Sequence, residues 1–249
     1  MVTASDAASA LLDFVPLPAA GSARLWWVSL DVPDAAGAAL LDLLTDGERQ
    51  RAESYPHVVR GRRFARGRAA LRLLLGAWIS CDPRELVLGA NGDGKPVLAG
   101  ELPAGGALHF NLSHAGDLAV IAIDDRSPVG VDLVAVQARL PIDTVAPRFF
   151  SATERAVLAS APDEATRRER FARLWVRKEA WLKALGTGIS ERMRATDLSA
   201  GLSSPGAPGA ATEGMKPVQV DGWEVRDLEG LPPGHVASVA SRPGAGTTR

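Results

Sequence analysis

The chain has 249 residues, 46 % of them hydrophobic, and a formal net charge of −1. That is enough apolar material for one large or two small globular domains, and a near-neutral balance gives no global field that would draw it to nucleic acid or a membrane surface. No apolar run approaches the ~18 residues a bilayer-spanning helix needs, no basic residue precedes Arg24 as a signal peptide would require, and a single cysteine, Cys81, excludes an internal disulfide. The expected setting is the cytoplasm.

In chain order, residues 1–22 are expected to be a loose lead-in, broken by Pro16 and Pro18. Arg24–Val32 has the β-branched and aromatic content of a strand, and Pro33–Leu44 reads as a short helix. Thr45–Arg72 carries eight arginines, Arg51 and Arg63 among them. Arg62 and Arg66, and again Arg68 and Arg72, lie one helical turn apart, while Leu71, Leu74, Leu75 and Trp78 turn toward a core. A solvated helix face is the plainer reading. The alternative is a pocket for a small polyanion, because the guanidinium fork matches phosphate oxygens two at a time. The aromatic interleaving of a single-strand nucleic-acid site is lacking.

Asn91–Pro96 (NGDGKP) is a turn with Lys95 near its tip. Leu108–His114 and Leu118–Asp124 are expected to pair as a hairpin, with Phe110 and Leu112 on one face and His109, Asn111 and Ser113 on the other. His114 ends the first strand. Its adjacency to Ser113 does not make a hydrolase, since strand neighbours face opposite ways. Val129–Val136 (VGVDLVAV) places Asp132 inside an almost wholly apolar strand. A buried carboxylate without a partner costs several kcal/mol, so a cation, a metal or backbone donors must meet it. A buried Asp–Arg pair is the plainer candidate. Gly130 and Val134 share its face.

Arg148–Leu158 opens a helix with Ser151 as N-cap and Glu154 completing a capping box. Phe171–Ile189 is a second, amphipathic helix that stops at Gly186 and Gly188. Glu179 and Lys183 stand one turn apart on it, between Trp175 and Trp181. A surface ion pair would account for them. Yet the chain uses only four lysines against 24 arginines, and a retained lysine points to a need for a compact ammonium. With Asp132, Glu179 could complete a two-carboxylate Mg²⁺ site. Ser199–Gly214 reads as a flexible loop, Trp223–Leu228 and His235–Ala240 as closing strands, and Arg242–Arg249 as a disordered tail. The order of elements fits an α+β fold of two similar halves.

GDGKP, HFNLSHAGD, VGVDLV, RFFSATE and LWVRKEAWLKALGTGIS follow one another in the order and spacing of the Sfp-type 4′-phosphopantetheinyl transferases, which this chain resembles over roughly residues 45–190. The resemblance implies two pseudo-symmetric halves, an α/β sandwich-like arrangement divided here as 1–126 and 127–249, with the active site in the cleft between them. It implies a Mg²⁺-dependent transfer of phosphopantetheine from coenzyme A to a serine of an acyl or peptidyl carrier protein by a cytoplasmic monomer, with adenosine 3′,5′-bisphosphate released and no nucleic acid or membrane involved. Asp132 and Glu179 would bind the metal. Arg51, Arg63, Lys95, Ser113, His114 and Lys183 would bind coenzyme A. Glu179 or Glu154 would serve as base, and Lys183 would meet the leaving phosphate. Many relatives carry a second strand carboxylate where this chain has Val134, so weaker Mg²⁺ binding is expected. Rival readings are a catalytically impaired coenzyme A- or carrier-binding paralogue and a metal-dependent phosphodiesterase.

Overall fold

The computed structural model describes residues 11–90, 95–99, 107–136, 140–188, 191–202 and 216–243. Strands β1 (Phe14–Ala20), β2 (Ala23–Ser29), β5 (His109–Ala115) and β6 (Leu118–Asp124) form one antiparallel sheet in the order β1-β2-β6-β5. Strands β7 (Gly130–Ala135), β8 (Val218–Val220), β9 (Trp223–Asp227) and β10 (His235–Ser241) form a second, ordered β7-β10-β9-β8. A short hairpin, β3 (Leu88–Ala90) with β4 (Pro96–Leu98), stands apart.

The helices are α1 (Asp34–Leu41), α2 (Asp46–Glu53), α3 (Val58–Ile79), α4 (Ile142–Phe149), α5 (Ala152–Ala159), α6 (Glu164–Leu185) and α7 (Arg192–Ala195). Alternation along β6 decides the layering. Ala119, Ile121 and Ile123 pack with Ala69, Leu71 and Leu75 of α3, whereas Val120 and Ala122 pack with Val131, Leu133, Ala237 and Val239 of the second sheet. The outer face of the second sheet lies under α6, where Ala180, Trp181 and Ala184 meet Val218, Trp223, Val225 and Ala240. The result is helix, sheet, sheet, helix, with one apolar layer shared by both sheets. None of the described helices is long and apolar enough to cross a bilayer.

The mixed helix and sheet agrees with the α+β expectation. The lead-in does not: Phe14–Ala20 is a strand paired with β2, Pro16 opposite Trp26. As an edge strand it has one side without ladder partners, which is where prolines are tolerated. The helix expected over Arg148–Leu158 is two helices that break at Phe150–Ser151. Most of the Ser199–Gly214 loop, the Asn91–Gly94 turn and the last six residues of the tail lie outside the described residues.

Candidate active site

β7 is the edge strand of its sheet, and its even-numbered residues face α6. The two elements lie close: a Cβ on Gly130 would collide with the backbone at Ala180 and Ala184. Glycine is required there by close approach, not by dihedral freedom. The next even residue, Asp132, is 7 % exposed. Its Oδ1 accepts from Lys183 Nζ at 2.6 Å and from Ser113 Oγ at 2.8 Å. Lys183 Nζ also donates to Ser113 Oγ at 3.3 Å and to the Val131 carbonyl at 3.2 Å. The cation that meets the buried carboxylate is thus a lysine, not an arginine. Val134, the third even residue, sits opposite Val236 and packs against Ala172 and Val176.

Glu179 stands one turn before Lys183 on the same helix. Its Oε1 is buried and has no hydrogen-bond partner among the described residues. Burial first, then the nearby Asp132 carboxylate, raises its pKa above the ordinary value, with Lys183 opposing. Two acids therefore stand near one ammonium, which pairs with Asp132, and the Glu179 Oε1 is buried without a partner among the described residues. An orphaned acceptor of this kind is rare and calls for an explanation. A hard dication with oxygen ligands fits it, since Mg²⁺ takes one or two carboxylates and fills its octahedron with water and phosphate oxygens. Among the described residues no group of three His, Cys, Asp or Glu side chains gathers as a metal site, in keeping with Val134 in place of a further acid.

The basic candidates spread outward from this pair. Lys95 Nζ donates to the carbonyls of Val129, 3.0 Å away, and Lys183, 2.8 Å away, tying the β4 segment to the start of β7 and the end of α6. Burial and then Lys183 lower its pKa to about 8. His114 is the last residue but one of β5, at an exposed position, before a turn where Gly116 takes φ +61. The protein around it, and then the Lys183 and Arg63 cations, hold its pKa below the ordinary value. Arg63 of α3 therefore belongs to the same electrostatic neighbourhood, although its guanidinium is paired with Asp31 at 3.0 Å. Arg51 lies farther out along α2, stacked on Phe64 at 5.3 Å, with no described contact to the cluster. Two other arginines of the basic segment share one acid: Glu48 takes Arg72 at 2.9 Å and Arg68 at 3.5 Å.

Glu154 is not brought to the site. It is fully buried, and its carboxylate accepts from the Ser151 and Leu198 amides at 2.7 and 2.9 Å and pairs with Lys178 at 2.9 Å. The capping box read from Ser151 is present, and the carboxylate of Glu154 is engaged in fastening α5 to α6. Lys178, beside Glu179 in sequence, faces this buried pair and not the cluster. A residue without an assigned role in the sequence reading stands in the seam as well. Asn111 is 3 % exposed, and its Oδ1 accepts from Val131 N–H at 2.8 Å.

A family model described as the 4′-phosphopantetheinyl transferase superfamily matches residues 128–239, from the strand of Asp132 through the helix of Glu179 and Lys183. Similarity to curated proteins extends further. The 4′-phosphopantetheinyl transferase HetI of Nostoc sp. is 35 % identical over 168 residues, which cover 68 % of this chain and 70 % of that protein. The chain belongs to the 4′-phosphopantetheinyl transferase superfamily. The transferase is also 30 % identical over 171 residues to 4′-phosphopantetheinyl transferase Sfp of Bacillus subtilis, covering 67 % and 72 % of the two chains. Against 4′-phosphopantetheinyl transferase psf-1 of Bacillus pumilus it is 39 % identical over 145 residues, covering 57 % and 58 %.

Proposed function

We propose that this transferase moves the 4′-phosphopantetheine group of coenzyme A onto a serine hydroxyl of an acyl or peptidyl carrier protein, with Mg²⁺ held by Asp132 and Glu179. The observation that carries the metal assignment is the buried, partnerless Oε1 of Glu179 beside Asp132. The halves 1–126 and 127–249 each supply part of the site: Ser113, His114, Lys95 and Arg63 from the first, Asp132, Glu179 and Lys183 from the second. One sheet falling within each half supports that division.

When bound, Mg²⁺ draws charge from the diphosphate and so eases attack at phosphorus. The chain's own residues do the rest. Arg63, Lys95 and His114 offset the polyanion's charge, with Arg51 as an outer contact. Glu179 accepts the proton of the carrier serine. The new bond joins the serine oxygen to the β-phosphorus, and the bond from that phosphorus to the bridging oxygen of adenosine 3′,5′-bisphosphate breaks. Lys183, which is part-exposed, meets the departing phosphate. Positioning and fixed charge supply most of the rate enhancement, as in phosphoryl transfer generally.

The deciding experiment is mass spectrometry of an apo carrier protein incubated with the transferase, coenzyme A and Mg²⁺. One phosphopantetheine mass gained on a serine is the expected result. Coenzyme A hydrolysis without an acceptor would establish the phosphodiesterase reading instead, and binding without turnover the impaired-paralogue reading. The pH dependence follows from Glu179. An acid whose folded pKa lies above its unfolded value keeps a proton that must leave before a cation binds. The stabilisation that Mg²⁺ confers in a thermal melt is therefore expected to disappear as pH falls through that raised pKa, and Glu179→Gln is expected to abolish it at every pH.

A further inference from the structure

β7 has a sheet partner on one side only. β10 takes the hydrogen bonds of one edge, and β7 ends the sheet on the other. That second edge is buried between the sheets, where an unpaired N–H or C=O is costly. Side chains meet it in sequence: Lys95 Nζ donates to the Val129 carbonyl at 3.0 Å, Asn111 Oδ1 accepts from Val131 N–H at 2.8 Å, Lys183 Nζ donates to the Val131 carbonyl at 3.2 Å, and Ser113 Oγ accepts from Leu133 N–H at 3.3 Å. Asn111 and Ser113 stand opposite Ala122 and Val120 of β6, so they project from the otherwise apolar inner face of the first sheet. Two polar residues on that face are explained by the edge they satisfy. They grip the residues immediately before and after Asp132.

Resting on the metal reading above, we infer that Asn111 is a positioning residue for the Asp132 carboxylate. The Asn111 amide oxygen fixes the β7 backbone at Val131. That places Asp132 Oδ1 against Ser113 and Lys183 and leaves its remaining lone pairs to a cation. Ser113 acts on the same stretch of β7, since its Oγ accepts from Leu133 N–H and donates to Asp132 Oδ1. Asn111→Leu keeps the branching at Cγ and removes the acceptor, whereas Asn111→Asp keeps an acceptor.

The test is Mg²⁺ binding to the full chain by titration calorimetry without coenzyme A, paired with transfer kinetics. Asn111→Leu is expected to weaken Mg²⁺ binding by about 10-fold, the low end of the loss seen for a direct partner of a metal ligand, because Asn111 acts through the backbone one residue away. It should raise the Mg²⁺ needed for half-maximal transfer far more than the KM for coenzyme A, and Asn111→Asp should recover most of the loss. Equal Mg²⁺ affinity in Asn111→Leu and the wild type would overturn the inference, as would an Asn111→Asp no better than Asn111→Leu. Amide exchange on the wild type stands even if Asn111→Leu fails to fold. Because coupling is reciprocal, Mg²⁺ should slow exchange at Val131 and Leu133, and unchanged exchange at both sinks the proposal. A wild type that neither binds Mg²⁺ nor transfers the group would overturn the metal reading and this inference together. A wild type that does both, with Asn111→Leu its equal, overturns the inference alone.

Discussion

Helices α3 and α6 are both 22 residues long, both cover a four-stranded sheet and both bury charged side chains, but they dispose of those charges differently. On α3 each buried or half-buried arginine named above ends on acceptors of its own half. Arg72, 1 % exposed, reaches Glu48 and the carbonyls of Pro83 and Leu86, and Arg66 reaches the carbonyls of Leu30 and Val32. α6 does the same along most of its length: Arg177 forks onto Asp227, and Lys178 meets Glu154 and the carbonyls of Met193 and Thr196. At Glu179 and Lys183 the pattern breaks, with two acids, one ammonium and an oxygen left over. Satisfied buried charge is how a helix is fastened to its sheet; unsatisfied buried charge marks where something else must bind.

The largest expected effects are therefore on folding and come from the satisfied part. Asp227 is buried between Arg177 at 2.8 Å and Arg173 at 3.3 Å. Asp227→Ala leaves the Arg177 guanidinium without its counter-charge, while Arg173 keeps Glu169 at 2.7 Å, and should cost about 3–5 kcal/mol in denaturant unfolding. Glu154→Ala, which strands Lys178, belongs in the same range. A loss near 1 kcal/mol in either would show that water reaches these pairs.

Asp132→Ala and Glu179→Ala come next, and they reverse the pattern. Each should lower transfer by about 10²–10³-fold or more, with the unfolding midpoint little changed. Asp132→Ala loses the ion pair to Lys183, but that ammonium is 29 % exposed, unlike Lys178, and keeps the Glu179 carboxylate nearby; Glu179→Ala removes a buried oxygen that has no partner to lose. Normal turnover by either variant would refute the metal assignment, and a collapse of stability would place these acids with Asp227 as fasteners.

A gain-of-function change sharpens the same contrast. Val134 lies on the face of Asp132, so Val134→Glu adds an acid to the unsatisfied cluster. About tenfold tighter Mg²⁺ binding is expected, since ligand charge count tunes such sites. Stability should fall somewhat, because Val134 packs against Val176 and Val236. Unchanged Mg²⁺ affinity would mean that the cation sits elsewhere.

Much of this arrangement was legible in the sequence. Alternation gave β5, β-branched, aromatic and apolar content gave β2, β6, β7, β9 and β10, the caps gave the ends of α5 and α6, and a lone acid in an apolar strand flagged Asp132. Three things were not legible, each for a physical reason. β1 was hidden because two prolines argue against a strand unless it is known to be an edge. The first turns of α6, from Glu164 to Arg170, are so charged that the apolar period begins only at Phe171. The roles of Lys178 and Asn111, and the long-range partners of Glu154, depend on which elements meet, and local spacing does not specify them. Asn111 did leave a trace: it is a polar residue on the face of β5 that turns away from Phe110 and Leu112.

The smallest effect tests how far the contrast reaches into coenzyme A binding. Arg63 is assigned to the polyanion, yet it is paired with Asp31, whose pKa that guanidinium lowers. This pair differs in kind from Arg177–Asp227. The Asp31 side chain is 54 % exposed and Arg63 26 %, against 2 % for both members of the buried pair. Exposed pairs contribute about 0–1 kcal/mol, so an incoming phosphate can take Arg63 from Asp31 at little cost. Asp31→Asn removes the competitor, and the KM for coenzyme A should then fall by no more than about fivefold, the equivalent of that energy. Arg63→Ala should raise it. If Asp31→Asn instead destabilised the fold by several kcal/mol while leaving KM untouched, Arg63 would be one more fastener, and the basic face of α3 would have no part in holding the substrate.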